Sequence, residues 1–538
     1  MQQEEVKDTK KLIEEYKRKK NVTAVLWGLL FASPVIIGVL VFTFYPALES
    51  LYYSFTDYDM FNKPNFKWLN NYKVMFTIDP DFGTVWKNTL LYAVISIPLN
   101  LILGFFLAQA ANFKVRGITV YRTLFYLPVI IPSVASGLLF ADMFLVGTSG
   151  IINNMLSSIG LPELTWFSEK KTALATFIFM NVWNVGGGMI IWLSCFKNIP
   201  VALYEAAELD GANAWHKLIS ITIPMSTPII FYNLITGIIG SLQVNSSLIV
   251  GGVDGRGVGD SLYFIAIKIV KIVQYLVLTL IAVFLAFPFF LLVMRSFMTQ
   301  MDINAARIIP SHFTLDNYRK IFAENNYALY IFNTLKVVVF NMIFVPLSAS
   351  LCAYSFARLE WKGREFVFSC VLATIMIPGT VLQIPLYSLF YKLGWQGNLK
   401  SLTIPAMFGG GAINIFLLRQ FLKGIPKELD EAATIDGANI FKRYLLLIPL
   451  CSPILIYIII GTFSSGWSDF FGPLVYLSGN KQNYTLAVVI YTDSLSGELA
   501  TASLKMAAGA FMALFPTVLF ILYQRKLIDG IMVGAVKG

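Results

Sequence analysis

Eleven apolar runs, each near the thickness of a bilayer core, divide the chain between Val22 and Tyr523. A helix needs about 20 apolar residues to cross hydrocarbon. No water reaches the backbone there, so each run must close its hydrogen bonds on itself, as helix. The runs lie near Val22–Tyr45, Thr89–Ala110, Leu124–Leu145, Thr172–Phe196 and Ile229–Val250, then near Val273–Met294, Leu335–Tyr354, Val367–Leu389, Leu402–Phe421, Ile454–Val475 and Met506–Tyr523. They predict an all-α polytopic membrane protein. Only 13% of residues are charged, against about 25% in a soluble domain.

The net charge of +10 could suit nucleic acid, but its position argues otherwise. Lys17-Arg18-Lys19-Lys20, Lys114 with Arg116 and Arg122, Arg358 with Lys362 and Arg364, and Arg525, Lys526 and Lys537 all flank apolar runs. That is the positive-inside pattern. It predicts cytoplasmic N- and C-termini and an external aromatic segment from Pro46 to Lys87, with the lipid bilayer as partner and no nucleic acid. The long polar start before a full-length run reads as retained, not as a cleaved signal. Two histidines are too few for a metal or triad site, and Cys195, Cys352, Cys370 and Cys451 read as packing residues.

A polar island occurs twice. Glu205-Ala206-Ala207 returns as Glu431-Ala432-Ala433, 226 positions on, with Gly211 and Gly437 six residues after their glutamates. So many polar residues cannot lie in hydrocarbon, so each island sits at a membrane face. Pro200 and Pro426 suit a first helical turn, the acids after them suit the positive end of a helix dipole, and the glycines suit helix stops. Each island therefore predicts a short helix, a turn and a second short helix, an acidic-tipped knob. In the first copy Pro224 stands 13 positions after Gly211; in the second Pro449 stands 12 after Gly437. One residue fewer rotates the later half of the second island by about 100°.

The two copies divide the chain into parallel halves, 1–271 and 272–538. Orientation then demands a crossing between Gly251 and Lys271, where only Leu262–Val270 is apolar. About nine residues do not span. The expectation is five spans in the first half and six in the second, with the first half lacking its last span.

The Glu-Ala-Ala, Gly, Ile-x-Leu-Pro spacing resembles the permease subunits of bacterial ABC importers. Ile223 stands where that pattern has leucine, and the second copy departs by its early proline. The first half resembles the larger permease of the carbohydrate type (maltose, glycerol-phosphate and oligosaccharide importers) in Ser54-Phe55-Thr56-Asp57-Tyr58 and Asn71-Tyr72. The second resembles the partner permease in Pro310, Asn317-Tyr318, Arg419-Gln420-Phe421, Trp467-Ser468-Asp469-Phe470 and Gly534-Ala535-Val536-Lys537-Gly538. The resemblance implies the type I ABC importer transmembrane fold in a bacterial cell membrane, two cytoplasmic ABC ATPase subunits, an extracytoplasmic solute-binding protein and a sugar substrate. It makes the islands coupling helices, with Glu205 and Glu431 meeting the ATPases and Ala206, Ala207, Gly211, Ala432, Ala433 and Gly437 shaping the knob. No phosphate-binding G-x-x-x-x-G-K-[ST] loop occurs. The chain is thus expected to bind no cofactor and to catalyse nothing, ATP and Mg being used by the partners.

Polar residues inside spans mark a candidate substrate path: Asn181 and Asn184 beside Gly186-Gly187-Gly188, then Gln243, Asn245 and Ser246, then Trp467 and Asp469. Interhelical hydrogen bonding and glycine packing are the competing reading. Asp142 is a lone acid in a span, costing about 2.5–3.5 kcal/mol on insertion scales, so it lies near the outer interface or against a partner. Two other functions fit less well. An amino-acid or metal ABC permease would share the islands, and an ion-coupled transporter would need no cytoplasmic knob.

Overall fold

The computed structural model describes residues 22–535 apart from 60–61, 81, 113–116, 148–149, 168, 242–271, 325, 497–498 and 500. Eight of the described helices are long and apolar enough to cross a membrane, and three bent pairs bring the spans to eleven. Five precede residue 242 and six come after residue 271. The basic cluster at 17–20 and the junction at 251–271 lie outside the described residues.

Two of the expected spans are broken. Ile118–Ile130 and Ser133–Met143 meet at 91°, and Arg364–Met376 and Gly379–Lys392 meet at 101°. The break falls at Ile131-Pro132 in one half and Ile377-Pro378 in the other. A residue before proline is driven out of the helical region, and here both Ile131 (φ −67°, ψ 124°) and Ile377 (φ −78°, ψ 117°) are extended. The third span of each half thus turns inside the molecule. The fifth span of the first half is also bent, by 68° between Trp215–Met225 and Ile229–Ile238.

The first spans are exchanged between the halves. Phe31, Ala32 and Val35 of the Val22–Tyr53 helix pack with Val345, Tyr354, Trp361 and Ile415 of the second half. Ser355 Oγ donates to the Gly28 carbonyl at 2.6 Å, and a Cβ on Gly28 would collide with the Trp361 indole. In return Ala282, Leu285 and Leu292 of the Ile272–Ser296 helix pack with Phe140, Trp183 and Met189 of the first half. There Trp183 Nε1 donates to the Leu285 carbonyl at 3.0 Å. With lipid as apolar as leucine, such close packing and interhelical hydrogen bonding hold helices together. Asp142 is buried, and its partner is Arg295, also buried, from the other half.

The glycine runs sit at close approaches. A Cβ on Gly186 would strike the Phe125 carbonyl, and one on Gly410 the Val345 carbonyl. Gly409, Gly410 and Gly411 all have positive φ, a region that L side chains resist.

The same clasp comes after both first spans. The Asn71 amide donates to the Ser54 and Thr56 carbonyls (3.0 and 2.7 Å), and Ser54 Oγ meets the Tyr72 hydroxyl at 2.7 Å. The Asn317 amide donates to the Ser296 and Met298 carbonyls (3.0 and 2.8 Å), and the Tyr318 hydroxyl donates to Ser296 Oγ at 2.8 Å. Phe55 lies between Phe66 and Tyr72, as Phe297 lies between Phe313 and Tyr318. The serine, phenylalanine and asparagine-tyrosine motifs are therefore one structural device, used twice.

The Ala502–Ala535 helix closes the second half against Ser452–Ser468. Among the described residues the first half has no counterpart to it, and Phe231 of Thr227–Ser241 is 62% exposed.

Candidate coupling loops and membrane cavities

Each island folds as a helix, a tight turn and a second helix. The knob helices are Val201–Leu209 and Glu428–Ile435. The prolines stand just before the helices, not in their first turns: Pro200 is the N-cap, and Pro426 precedes the N-cap Lys427. They act through the residues before them, since Ile199 and Ile425 are extended and redirect the chain as it leaves the fourth span.

Gly211 (φ 76°) and Gly437 (φ 77°) are left-handed. The Ala212 N–H donates to the Ala207 carbonyl at 2.8 Å, and the Ala438 N–H to the Ala433 carbonyl at 2.9 Å. This six-residue closure satisfies carbonyls that a helix end leaves open, and it needs a residue without Cβ strain. Ala433 is buried and Ala207 half-buried, while Ala206 and Ala432 are exposed.

Glu205 and Glu431 are exposed, and among the described residues neither has an ion-pair partner. The first turn of the second knob carries Glu428, Asp430 and Glu431; that of the first carries no acid, because Glu205 is its fifth residue. The helix ends also expose large apolar side chains, Leu209 (90%) and Ile435 (86%), next in sequence to the exposed Asp210 and Asp436; Trp215 and Phe441 are exposed in the second helices. Paired exposed apolar residues on a polar knob suit a partner's groove.

The extra residue of the first island is absorbed by π-helix at Leu218–Thr222, whose wider turn holds one more residue than α-helix. The second island passes through Ile440–Leu447 into 3₁₀-helix at Ile448–Cys451.

Equivalent positions tie each knob to its second helix. Lys217 Nζ lies 2.7 Å from Glu208 Oε1, and Arg443 Nη1 donates to Thr434 Oγ1 at 3.2 Å. The Lys217 hydrogen bond and charge hold the Glu208 carboxyl below its ordinary range. Tyr204 and Asp430 also occupy equivalent positions but differ in kind. The Tyr204 hydroxyl meets Thr222 Oγ1 at 2.9 Å, whereas Asp430 Oδ2 lies 3.2 Å from Arg358 Nη1. Burial pushes the Asp430 carboxyl up, against the pull of Arg358 and Arg443.

The polar residues of the spans divide between two cavities. One, of about 400 Å³, lies in the first half and is lined by Asn181 and Asn184 with Ser96, Asn100, Asn233 and Ser241. The Asn100 amide donates to Asn181 Oδ1. The other, of about 990 Å³, is lined by Asp469 with Asn341, Asn414, Ser465 and Ser468, and by Ser133 from the first half. Asn181 and Asp469 are therefore not brought to one site. Trp467 lines neither cavity: it is fully buried, its Nε1 donates to the Met512 carbonyl at 2.8 Å, and its ring packs with Phe463 and Phe515. It is a core residue. Gln243, Asn245 and Ser246 lie outside the described residues. Asn100, Asn233, Asn341 and Asn414 were findable as amides interrupting apolar runs.

The family model for binding-protein-dependent transport system inner membrane components matches residues 68–260 and again 346–532. A probable ABC transporter permease protein of Bacillus subtilis (strain 168), YesP, is 42% identical over 220 residues, covering 40% of this chain and 69% of that protein. The arabinooligosaccharides transport system permease protein AraQ of Halalkalibacterium halodurans is 34% identical over 265 residues, covering 48% of this chain and 93% of that protein. The crystal structure of a bacterial ABC transporter importing the acidic polysaccharide alginate matches 47% of this chain and 94% of its own at 22% identity, with a TM-score of 0.42.

Proposed function

Because the chain belongs to the family of binding-protein-dependent transport system inner-membrane components, we propose that it is the permease of an ATP-driven importer of sugars or oligosaccharides, with both partner halves in one polypeptide. The observation that carries this reading is the pair of knobs, built alike at a 226-residue offset, each with an exposed carboxylate and an apolar tip. Two cytoplasmic ABC ATPase subunits would each receive one knob. Leu209 and Ile435 would enter a groove, and Glu205 and Glu431 would pair with basic side chains at its rim. Closure of the ATPases around ATP and Mg would draw the knobs together and rock the attached spans between inward- and outward-open states, a two-state switch biased by nucleotide and by the loaded solute-binding protein outside. In this reading both termini lie in the cytoplasm, as the basic flanks of the spans suggest.

The substrate class draws support from the similarity to AraQ, a permease protein for arabinooligosaccharides, and from cavities that offer amides and hydroxyls, which match sugar hydroxyls. The test is uptake of labelled oligosaccharide by cells carrying Glu205→Ala with Glu431→Ala. We expect ATP-driven uptake to be abolished while the protein still inserts. Uptake at the wild-type rate refutes the coupling role.

A further inference from the structure

The two knobs have the same shape but are not fastened alike, and the difference centres on one guanidinium. Arg358 ends the second span of the second half, the Tyr327–Arg358 helix. Its Nη2 donates to the Leu422 and Ile425 carbonyls (2.6 and 2.7 Å) at the close of the fourth span, and its Nη1 pairs with Asp430 on the knob. The Arg358 and Asp430 side chains are 5% and 15% exposed. Three elements therefore meet at one fork of donors. The first half is built differently. Arg122 Nε and Nη2 both donate to the Ala111 carbonyl at the end of its second span (2.9 and 2.7 Å), and Tyr204, at the position of Asp430, hydrogen-bonds among the described residues to Thr222 of its own island.

We propose that Arg358 and Asp430 form a strut that makes the second knob the stiff lever of the transport cycle. A planar guanidinium holds several acceptors in fixed relative geometry, and a shielded charge pair resists shear more than a hydroxyl contact does. Displacement of the second knob then moves its second and fourth spans as one body. Displacement of the first knob reaches its spans through the chain and through apolar packing of Tyr204 and Ile221, with no charged fork among the described residues. Arg358 and Asp430 are positioning residues in this scheme. The inference rests on the reading of the knobs as coupling helices.

The test uses the full chain with its ATPases and binding protein in liposomes, reading sugar moved per ATP hydrolysed. Asp430→Asn should lower that ratio about tenfold, Asp430→Glu should restore most of it, and Tyr204→Phe should stay within about twofold of wild type. An unchanged ratio in Asp430→Asn, or an equal loss in Tyr204→Phe, overturns the strut. Should Asp430→Asn fail to assemble, spin-label pairs decide. The distance between labels at Glu428 and Lys362 should be the same in nucleotide-free and ATP-trapped states, while that between Ala202 and Asn112 changes. A change in the first pair as large as in the second overturns the proposal. If the unaltered chain shows no ATP-driven uptake, the importer reading itself fails, a result distinct from a coupled Asp430→Asn.

Discussion

The first and second knobs show what a repeated sequence does and does not repeat. Their shape is set by two local devices: an isoleucine held extended before proline, and a left-handed glycine that closes the helix end. Both depend on backbone sterics alone, so they survive any change in what surrounds them. Their fastening depends on partners in other helices. There the copies diverge: a hydroxyl pair at Tyr204 and Thr222, an ion pair at Asp430 and Arg358. Even the missing residue of the second copy leaves the knob intact, because the π-helix at Leu218–Thr222 carries the difference beyond the glycine. Shape and attachment can therefore change independently.

The widest gap between the copies should open on removing those partners. Asp430→Ala leaves Arg358 buried without its counter-charge, and breaking a buried pair costs about 3–5 kcal/mol. Tyr204→Phe removes one half-buried hydroxyl contact, about 0.5–1.5 kcal/mol. Reversible unfolding in bicelles checks both; equal losses would mean that the attachments do not differ in strength.

The clasps after the first spans offer a milder contrast. Asn317 is buried while Asn71 is exposed, although both amides make the same two bonds. Asn317→Ala strands two shielded carbonyls and should cost about 1–3 kcal/mol, whereas water can replace the Asn71 amide for about 1 kcal/mol or less. The same unfolding assay reads this difference, and a larger loss at Asn71 would reverse the ranking.

Legibility in the sequence divides along the same line between local shape and distant attachment. The eleven runs, the repeat and the knob glycines are local signals, and the structure carries all three. The broken third spans were visible as Ile131-Pro132 and Ile377-Pro378, yet a count of apolar residues has no term for direction. Arg295 could not be matched to Asp142, because the pair joins residues 153 apart in different halves. Trp467 was misread because a tryptophan among serines looks the same whether it faces a cavity or the core; the Met512 carbonyl that satisfies its N–H is 45 residues away. The cavity asparagines were missed for the opposite reason: each stands alone in its run, and only folding gathers them.

Equivalence of shape has its own test. At Gly211 and Gly437 a Cβ would meet nothing within 4 Å, so Gly→Ala costs only the left-handed backbone, about 1–2 kcal/mol. Both variants should lose the same amount. A clear inequality in bicelle unfolding would show that the knobs differ in backbone strain as well as in attachment, and the separation of shape from fastening would fail.

The smallest effect concerns pH, and here the two knobs should move in opposite order. Glu208 is held below the ordinary carboxylate range by Lys217. Its tie is fully present above the carboxylate's unfolded value and is lost only as pH falls through the depressed one. Burial raises Asp430, so the folded chain takes up that proton more readily than the unfolded chain does. Acidification through the raised value discharges the strut while relieving the burial cost of the carboxylate, so global stability changes little or rises. Local attachment is what weakens. A spin label at Glu428 on the second knob should gain mobility at a higher pH than one at Val201 on the first. Loosening at the same pH, or the first knob loosening earlier, would mean that the Arg358 fork holds its knob without the Asp430 charge, through the Leu422 and Ile425 carbonyls alone.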